Sequence, residues 1–237
     1  MTELAFRDDA YARSCEATVL AVNERGGIVL DRTVFYPTGG GQPGDSGALK
    51  LADGRAVRIA TAVKGASADE VVHVPAEGEA PPPVGARVTA EIDWEPRWKR
   101  MRAHTALHLL SAVLSFPVTG GQVSEGKGRL DFDMPELPFE KDEMERRLNA
   151  LVDAAHAVEM RWITDAELEA KPELVKTMSV KPPTGHGRVR LIEVAGCDLQ
   201  PCGGTHVRNT REIGRIAVTK IEKKGRINRR VGIELLD

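Results

Sequence analysis

Cysteine, aromatic residues and long apolar runs are scarce in this sequence. Its 237 residues include three cysteines, and aromatic residues make up 4% of the chain. So few cysteines do not form a disulfide framework and are typical of a protein from a reducing compartment. No run of about 18 apolar residues occurs, which argues against a transmembrane helix, and the N-terminus lacks the apolar stretch of a secretory signal. We therefore expect a cytoplasmic protein with no membrane partner.

Net charge is also nearly absent, at −2, so the overall charge does not indicate a nucleic-acid-binding protein. The distribution is uneven, because the stretch from Arg211 to Arg230 contains eight basic and two acidic residues. A second basic cluster directly precedes His104. Such clusters can contact RNA phosphates, and a solvated protein face is an equally good interpretation. The candidate RNA-binding residues are Lys99, Arg100, Arg102, Lys220, Lys223, Lys224, Arg226, Arg229 and Arg230.

The length allows one large domain or two small ones, and 41% hydrophobic with 29% charged residues is typical of a globular protein. Short β-rich runs separated by glycine- and aspartate-containing turns predict a β-rich domain over 1–93. We predict its strands at 15–22, 27–30, 55–63 and 87–93.

An α+β domain is predicted over 94–237. Its first helix runs from Trp94 to about Ser115, and apolar residues at helical spacing predict a second one over 139–158. A short helix is expected over 165–171 and a loop over 179–187. The remaining runs predict strands at 158–163, 188–195, 213–221 and 230–236.

Two residue pairs with the same spacing indicate a metal site. His104 and His108 are four residues apart in the first predicted helix, so their imidazoles share one helix face. Cys202 and His206 are also four apart, and the glycines between them allow the backbone to turn tightly. Three imidazoles and one thiolate suit Zn²⁺. Either pair alone is a weak signal, but the two together predict one Zn²⁺ per chain.

Residue spacing alone does not decide whether such a zinc is catalytic or structural. The histidine-rich ligand set favours catalysis, because structural sites prefer more cysteines, but a structural zinc with all four positions filled remains an alternative. Thr105 occupies the position at which an H-E-x-x-H metalloprotease carries its glutamate, so that class of enzyme lacks its general base here.

A glycine-rich stretch over 35–47 is the third informative motif. It lacks the Gly-Lys-Ser/Thr ending of a P-loop, so we expect no nucleotide cofactor. Its adjacent glycines allow positive φ and a close approach of a ligand to the backbone. The polar groups of the stretch could bind a small polar substrate or simply cap turns. The candidate substrate-binding residues are Thr38, Gly39, Gly40, Gly41 and Gln42.

Together these stretches resemble the editing domain of alanyl-tRNA synthetase and the free-standing AlaX trans-editing proteins. The matching segments are FYPTGGGQPGD from Phe35, HTALHLL from His104 and QPCGGTHV from Gln200, with further similarity at TREIG from Thr210 and KIEKKGRINRR from Lys220. The similarity extends over nearly the whole chain, and the His/His/Cys/His part is shared with threonyl-tRNA synthetase editing domains. With no aminoacylation domain before it and no long extension after it, the chain is similar to the compact two-domain AlaX type.

The resemblance implies an α+β protein: a small, glycine-rich β-barrel-like domain followed by an α+β editing domain with zinc between helix and sheet. It implies ATP-independent hydrolysis of mischarged tRNA(Ala), chiefly seryl-tRNA(Ala) and also glycyl-tRNA(Ala). It assigns zinc binding and catalysis to His104, His108, Cys202 and His206, and places Thr38 and Gln42 near the substrate. We expect a monomer or a weak homo-oligomer. Threonyl-type editing, a zinc hydrolase of small esters or amides, and a zinc-containing RNA-binding protein without catalysis are the alternatives.

Overall fold

The computed structural model describes residues 2–67, 69–178 and 187–236. The chain divides into two compact units, Met1–Trp98 and Lys99–Asp237. The proposed division into domains 1–93 and 94–237 stays a prediction. Among the described residues, none of the helices combines the length and the hydropathy of a membrane-spanning segment.

The first unit is built around a closed six-stranded barrel. Its elements are β1 (Glu3–Leu4), α1 (Ala5–Asp8), β2 (Ser14–Val22), β3 (Ile28–Leu30), β4 (Arg32–Thr33), β5 (Gly47–Leu51), β6 (Ala56–Lys64), β7 (Val71–Pro75), β8 (Arg87–Ile92) and the first turn of α2 (Trp94–Leu114). The barrel strands follow the order β2-β3-β7-β6-β5-β8. Side chains alternate between core and solvent, as in β8, where Val88, Ala90 and Ile92 are buried. The predicted β-barrel-like domain is confirmed.

The second unit combines helices with two antiparallel sheets. After α2 come β9 (Val118–Ser124), β10 (Lys127–Asp133), α3 (Lys141–Asp153), β11 (Val158–Thr164), α4 (Asp165–Glu169), a 3-10 helix (Pro172–Leu174), β12 (Arg188–Val194), β13 (Asp198–Pro201), a second 3-10 helix (Thr210–Ile213), β14 (Arg215–Lys223) and β15 (Asn228–Leu236). One sheet has the order β14-β15-β10-β9 and the other β11-β12-β13. The α+β prediction is confirmed.

Helix α2 packs closely on the four-stranded sheet. Its residues from Met101 to Leu110 are almost all buried. A Cβ placed on Gly128 of β10 would lie 3.0 Å from a methyl carbon of Leu107. Glycine at this point of β10 therefore lets the helix approach the sheet closely.

The second predicted helix is shorter than its apolar pattern indicated. Helix α3 ends at Asp153, and Ala155 adopts a positive φ of 55° that turns the chain back. Val158, where the predicted helix ends and the predicted strand 158–163 begins, opens β11, so the strand start is confirmed and the helix end is wrong. The pattern was misleading because the apolar residues of the helix and of the following strand adjoin in the sequence. Of the loop predicted at 179–187, residues 179–186 lie outside the described residues.

Candidate metal centre

The structure brings together the four side chains of the two sequence pairs. His104 and His108 project from one face of α2, while Cys202 and His206 come from the segment that follows β13. One ligand atom from each of the four lies within 4.8 Å of all the others. The three histidines are buried and Cys202 is partly exposed. The prediction of a metal-ligand group between helix and sheet is confirmed, and its role in binding an ion remains a proposal.

The spacing of the donor atoms fits a tetrahedral ion. The Cys202 Sγ lies 3.6 Å from the His104 Nε2 and 3.3 Å from the His206 Nε2. A zinc bound at about 2.3 Å by sulfur and about 2.0 Å by nitrogen would separate those two ligands by roughly 3.5 Å at the tetrahedral angle. The donor set and its geometry therefore fit Zn²⁺.

The hydrogen bonds of His206 direct its Nε2 towards this group. Its Nδ1 lies 3.1 Å from the Thr105 hydroxyl oxygen. That hydroxyl donates its only proton to the Met101 carbonyl at 2.9 Å and also accepts from the Val207 N–H. The Thr105 oxygen must therefore accept from Nδ1–H of His206, which leaves Nε2 with a free lone pair. Metal-bound histidines have their second nitrogen engaged in this way.

His108 is held by a charged partner instead. Its Nδ1 lies 2.8 Å from Oδ2 of Asp198, which is fully buried at the side chain. The Gln200 amide donates to the same oxygen at 2.7 Å, and Lys176 Nζ donates to Oδ1 at 2.5 Å. The carboxylate thereby fixes the His108 tautomer with the proton on Nδ1 and presents Nε2 to the other ligands.

The protonation states suit metal binding in part. Burial raises the pKa of the Cys202 thiol, but the neighbouring imidazoles, through electrostatic attraction and hydrogen bonds, outweigh it and hold that pKa well below its usual value. Burial and His104 lower the pKa of His206 to about 3. Burial also lowers the pKa of His108, yet hydrogen bonds to Asp198 and Cys202 dominate and raise it to about 9. A metal ion would therefore have to displace the proton of His108.

Arg190 shapes the loop that carries the last two ligands. Its Nη1 donates to the carbonyls of Cys202 and Gly204, both at 2.9 Å, and its own carbonyl accepts from the Cys202 N–H at 3.1 Å. These bonds satisfy loop carbonyls that would otherwise be buried without partners. The loop can thus bring Cys202 and His206 to the same point.

The glycine stretch forms a tight, internally bonded turn in the first unit. Gly40 and Gly41 both have positive φ, at 56° and 81°, as the central residues of a type I′ turn do. Gly39 and Gln42 flank them and exchange two backbone hydrogen bonds. The backbone of the stretch therefore closes its own turn.

The Thr38 hydroxyl helps to hold this stretch together. It accepts from the Gly44 N–H at 2.9 Å and donates to the Ala62 carbonyl at 3.3 Å, although the residue is exposed. Gln42 is only 1% exposed. The predicted contacts of Thr38, Gln42 and the glycines with substrate stay predictions.

A buried ion pair anchors the base of the glycine stretch. Asp45 accepts from the Tyr36 N–H at 2.7 Å, and its carboxylate pairs with the Arg97 guanidinium. Arg97 is fully buried and also donates to the carbonyls of Ala10 and Val34. No local pattern indicates this pair, because the partners are 52 residues apart.

Several of the basic residues considered for RNA binding are engaged within the protein. Arg230 pairs with Asp131 at 2.7 Å, and Lys220 and Lys224 both pair with Glu222. In the other cluster, Arg100 pairs with Glu125 and Arg102 donates to the Ile213 carbonyl. In the described part of the chain, the exposed Lys223 and Arg226 form no ion pair.

Sequence reasoning missed the residues that support the ligands, namely Thr105, Lys176, Arg190, Asp198 and Gln200. A signal was present for two of them. Asp198 and Gln200 alternate in β13, and alternate residues of a strand share a face, so the strand places them together just before Cys202. Lys176 and Arg190 carry no such signal.

Known proteins match most of the chain. Residues 189–231 match the family described as threonyl and alanyl tRNA synthetase second additional domain, and residues 9–96 match tRNA synthetases class II (A). The chain is 35% identical over 245 residues to alanyl-tRNA editing protein AlaX-M of Methanosarcina acetivorans, with both chains covered in full. It is 32% identical over 239 residues to AlaX-M of Saccharolobus solfataricus, covering 98% of each.

The chain belongs to the AlaX family of alanyl-tRNA editing proteins. The resemblance inferred from the motifs is confirmed. The chain is also 38% identical over 232 residues to the alanine–tRNA ligase of Pyrobaculum neutrophilum, covering 94% of this chain but 25% of the ligase. Of the four candidate ligands, Cys202 and His206 lie within the matched segment 189–231.

Proposed function

We propose that the chain is a zinc-dependent trans-editing hydrolase that cleaves the ester bond of mischarged tRNA(Ala), chiefly seryl-tRNA(Ala) and also glycyl-tRNA(Ala). The observation that carries the proposal is the convergence of His104, His108, Cys202 and His206 on one point in a member of the AlaX family. The names of full-length relatives, alanyl-tRNA editing proteins, support the substrate class.

The four side chains would hold Zn²⁺ through three imidazole nitrogens and one thiolate. When bound, the ion supplies Lewis-acid chemistry to an ester carbonyl or a water molecule. Thr105 and Asp198 orient His206 and His108 by holding their Nδ1 protons. Cys202 is the partly exposed member of the group, so we place the approach of the substrate on its side.

The glycine stretch is our candidate for amino acid selection, with Thr38 and Gln42 as the polar groups. A site that hydrogen-bonds a serine hydroxyl disfavours alanine, since its polar groups are then left without partners. Such a preference would leave the correctly charged tRNA intact.

The tRNA partner would meet the basic hairpin between β14 and β15. Lys223 and Arg226 are exposed there and are not neutralised by an ion pair in the described part of the chain. We therefore assign the phosphate contacts first to these two residues. Arg100, Arg102, Lys220 and Arg230 are engaged within the protein and would contribute less.

The test is deacylation of seryl-, glycyl- and alanyl-tRNA(Ala) side by side, with and without a zinc chelator. We expect rapid, chelator-sensitive loss of serine, a slower loss of glycine and little loss of alanine. Absence of hydrolysis by the zinc-loaded protein would contradict the proposal and favour an RNA-binding protein without catalysis.

The matched family also includes threonyl-tRNA synthetases, so seryl-tRNA(Thr) belongs in the same assay. Hydrolysis of seryl-tRNA(Thr) in preference to seryl-tRNA(Ala) would establish threonyl-type editing instead. The full-length similarity to AlaX-M proteins favours the alanyl substrate.

A further inference from the structure

Asp198 lies against the candidate metal centre without belonging to the four ligands. The residue is 5% exposed, and each oxygen of its carboxylate has a different set of partners. Oδ2 accepts from His108 and Gln200, and Oδ1 accepts from Lys176. Burial of a carboxylate is costly unless hydrogen bonds and an opposite charge compensate it, and here both are present.

We propose that Asp198 is a positioning residue, fixed by Lys176 and Gln200, which sets the orientation in which His108 binds the metal. The inference rests on the metal centre of the proposed function. It adds residues that act on a ligand without touching the ion or the substrate.

Lys176 is itself held by the backbone. Its carbonyl accepts from the Val118 N–H at 2.9 Å, and the Met178 N–H donates to the Val118 carbonyl at 2.8 Å. These bonds pair the segment around Thr177 with the start of β9. The ammonium group, whose side chain is 28% exposed, therefore reaches Asp198 from a fixed position.

The support of His108 differs from that of His206. Thr105, which holds His206, lies on α2 beside the other ligands and is neutral. Asp198 follows His108 by 90 residues in the sequence, and Lys176 precedes Asp198 by 22 residues. The orientation of His108 thus depends on three separate elements, and a change at the outermost one should be transmitted to the ligand.

A carboxylate is needed at position 198 because one of its oxygens accepts a hydrogen bond from His108 while the other accepts from Lys176. An amide at position 198 has one oxygen, so it can accept either from His108 or from Lys176 but not fully from both. Whichever group loses its acceptor then faces an N–H donor at close range. Asp198→Asn should therefore disturb the orientation of the His108 ring. The disturbance should be smaller when the Lys176 ammonium is also removed.

The experiment measures Zn²⁺ affinity by competition with a chromophoric chelator, together with the visible spectrum of the Co²⁺-loaded protein. We expect Asp198→Asn to weaken Zn²⁺ binding about 10- to 100-fold, the usual effect of removing a partner of a metal-bound histidine. Lys176→Met should weaken binding less, and Lys176→Arg, which keeps the charge, should bind more tightly than Lys176→Met. The Co²⁺ spectrum should shift in Asp198→Asn, because the ligand field changes when His108 turns.

The double variant Asp198→Asn with Lys176→Met provides the sharpest comparison. Because the amide no longer opposes an ammonium, it should bind Zn²⁺ more tightly than the product of the two single effects predicts, by about fivefold or more. Lys171→Met, which alters an exposed lysine of the same segment, is the matched control and should bind as the unaltered protein does.

Unchanged Zn²⁺ affinity and Co²⁺ spectrum in Asp198→Asn would overturn the positioning role, as would strictly multiplicative effects in the double variant. The proposed function is judged separately. If the unaltered protein binds Zn²⁺ and Asp198→Asn weakens it, while neither hydrolyses mischarged tRNA(Ala), the positioning role stands and the editing function falls.

Discussion

The metal-ligand group and the glycine stretch are both named by sequence motifs, yet they are built in opposite ways. The ligand group joins α2 to the segment after β13, about 100 residues later, and the orientation of His108 depends on Asp198, which lies outside the motifs. The glycine stretch is largely closed on itself, since Gly39 pairs with Gln42 and Thr38 with Gly44. The histidine and cysteine motifs therefore predict which donor atoms meet in the ligand group. The glycine motif predicts how the backbone turns.

Removing a ligand should produce the largest effect. Cys202→Ala deletes the thiolate and leaves three histidines, so we expect loss of stoichiometric Zn²⁺ and of detectable deacylation. Metal content and the rate of seryl-tRNA(Ala) hydrolysis measure this directly. Cys197→Ala, at a cysteine outside the group, is the control and should keep both. Full activity in Cys202→Ala would show that the group is not the catalytic centre.

The buried ion pair beneath the glycine stretch should have the next largest effect, on stability. Arg97→Met leaves the Asp45 carboxylate buried without its counter-charge, which costs about 3–5 kcal/mol. Urea denaturation would measure the change. The exposed pair of Lys50 and Glu91 is the control, and Lys50→Met should change the free energy of unfolding by less than about 1 kcal/mol. Equal effects would mean that burial of the pair does not matter.

The pH dependence of metal binding tests the charges of the ligand group. His108, with a pKa raised to about 9, is protonated at neutral pH without metal, while His206, with a pKa of about 3, is not. Zn²⁺ binding between pH 6 and 8 should therefore release at least the His108 proton, and affinity should fall as the pH decreases. Calorimetry in buffers of different ionisation enthalpy counts the protons. Release of none would contradict the assigned state of His108.

Substitution of Thr38 tests whether the glycine stretch has a role beyond forming its own hydrogen-bonded turn. Thr38→Val removes the hydroxyl that accepts from Gly44, which should cost about 1 kcal/mol of stability. If the hydroxyl also contacts serine, the ratio of seryl- to alanyl-tRNA(Ala) hydrolysis should fall more than the seryl rate does. Thr38→Ser keeps the hydroxyl and should preserve the ratio. A ratio unchanged in Thr38→Val would restrict Thr38 to its structural role.

The smallest effect is expected from the basic hairpin. Replacement of both Lys223 and Arg226 by Met should weaken tRNA binding modestly and lower the slope of log affinity against log salt by about 1.5. Arg230→Met, whose side chain already pairs with Asp131, should change that slope less. A larger change in Arg230→Met would reverse the assignment of the phosphate contacts.

Which structural features the sequence predicts depends on the information that each pattern carries. Histidines four apart on a helix share a face whatever the rest of the fold does, so His104 and His108 were predictable as neighbours. The glycine stretch indicated its turn because only glycine readily adopts two consecutive positive φ angles. The helix over 139–158 was overextended, since adjoining helix and strand both contribute apolar residues there.

Contacts between segments that are far apart in the sequence are not indicated by any local sequence pattern. Lys176 meets Asp198, and Arg97 meets Asp45, only because the chain folds, and nothing in their local sequence distinguishes them from surface charges. Strands β5, β7, β9, β10 and β13 were also missed. The strand β7 contains His73, which looks polar in the sequence but is fully buried and bonded to the Thr33 hydroxyl at 2.7 Å.

X-ray absorption at the zinc edge of the purified protein, with the metal content determined in parallel, would show whether the four side chains bind the ion. We expect one Zn²⁺ per chain with one sulfur neighbour at about 2.3 Å and three nitrogen neighbours at about 2.0 Å. A shell of light atoms without sulfur, or a protein that binds no zinc, would contradict this expectation.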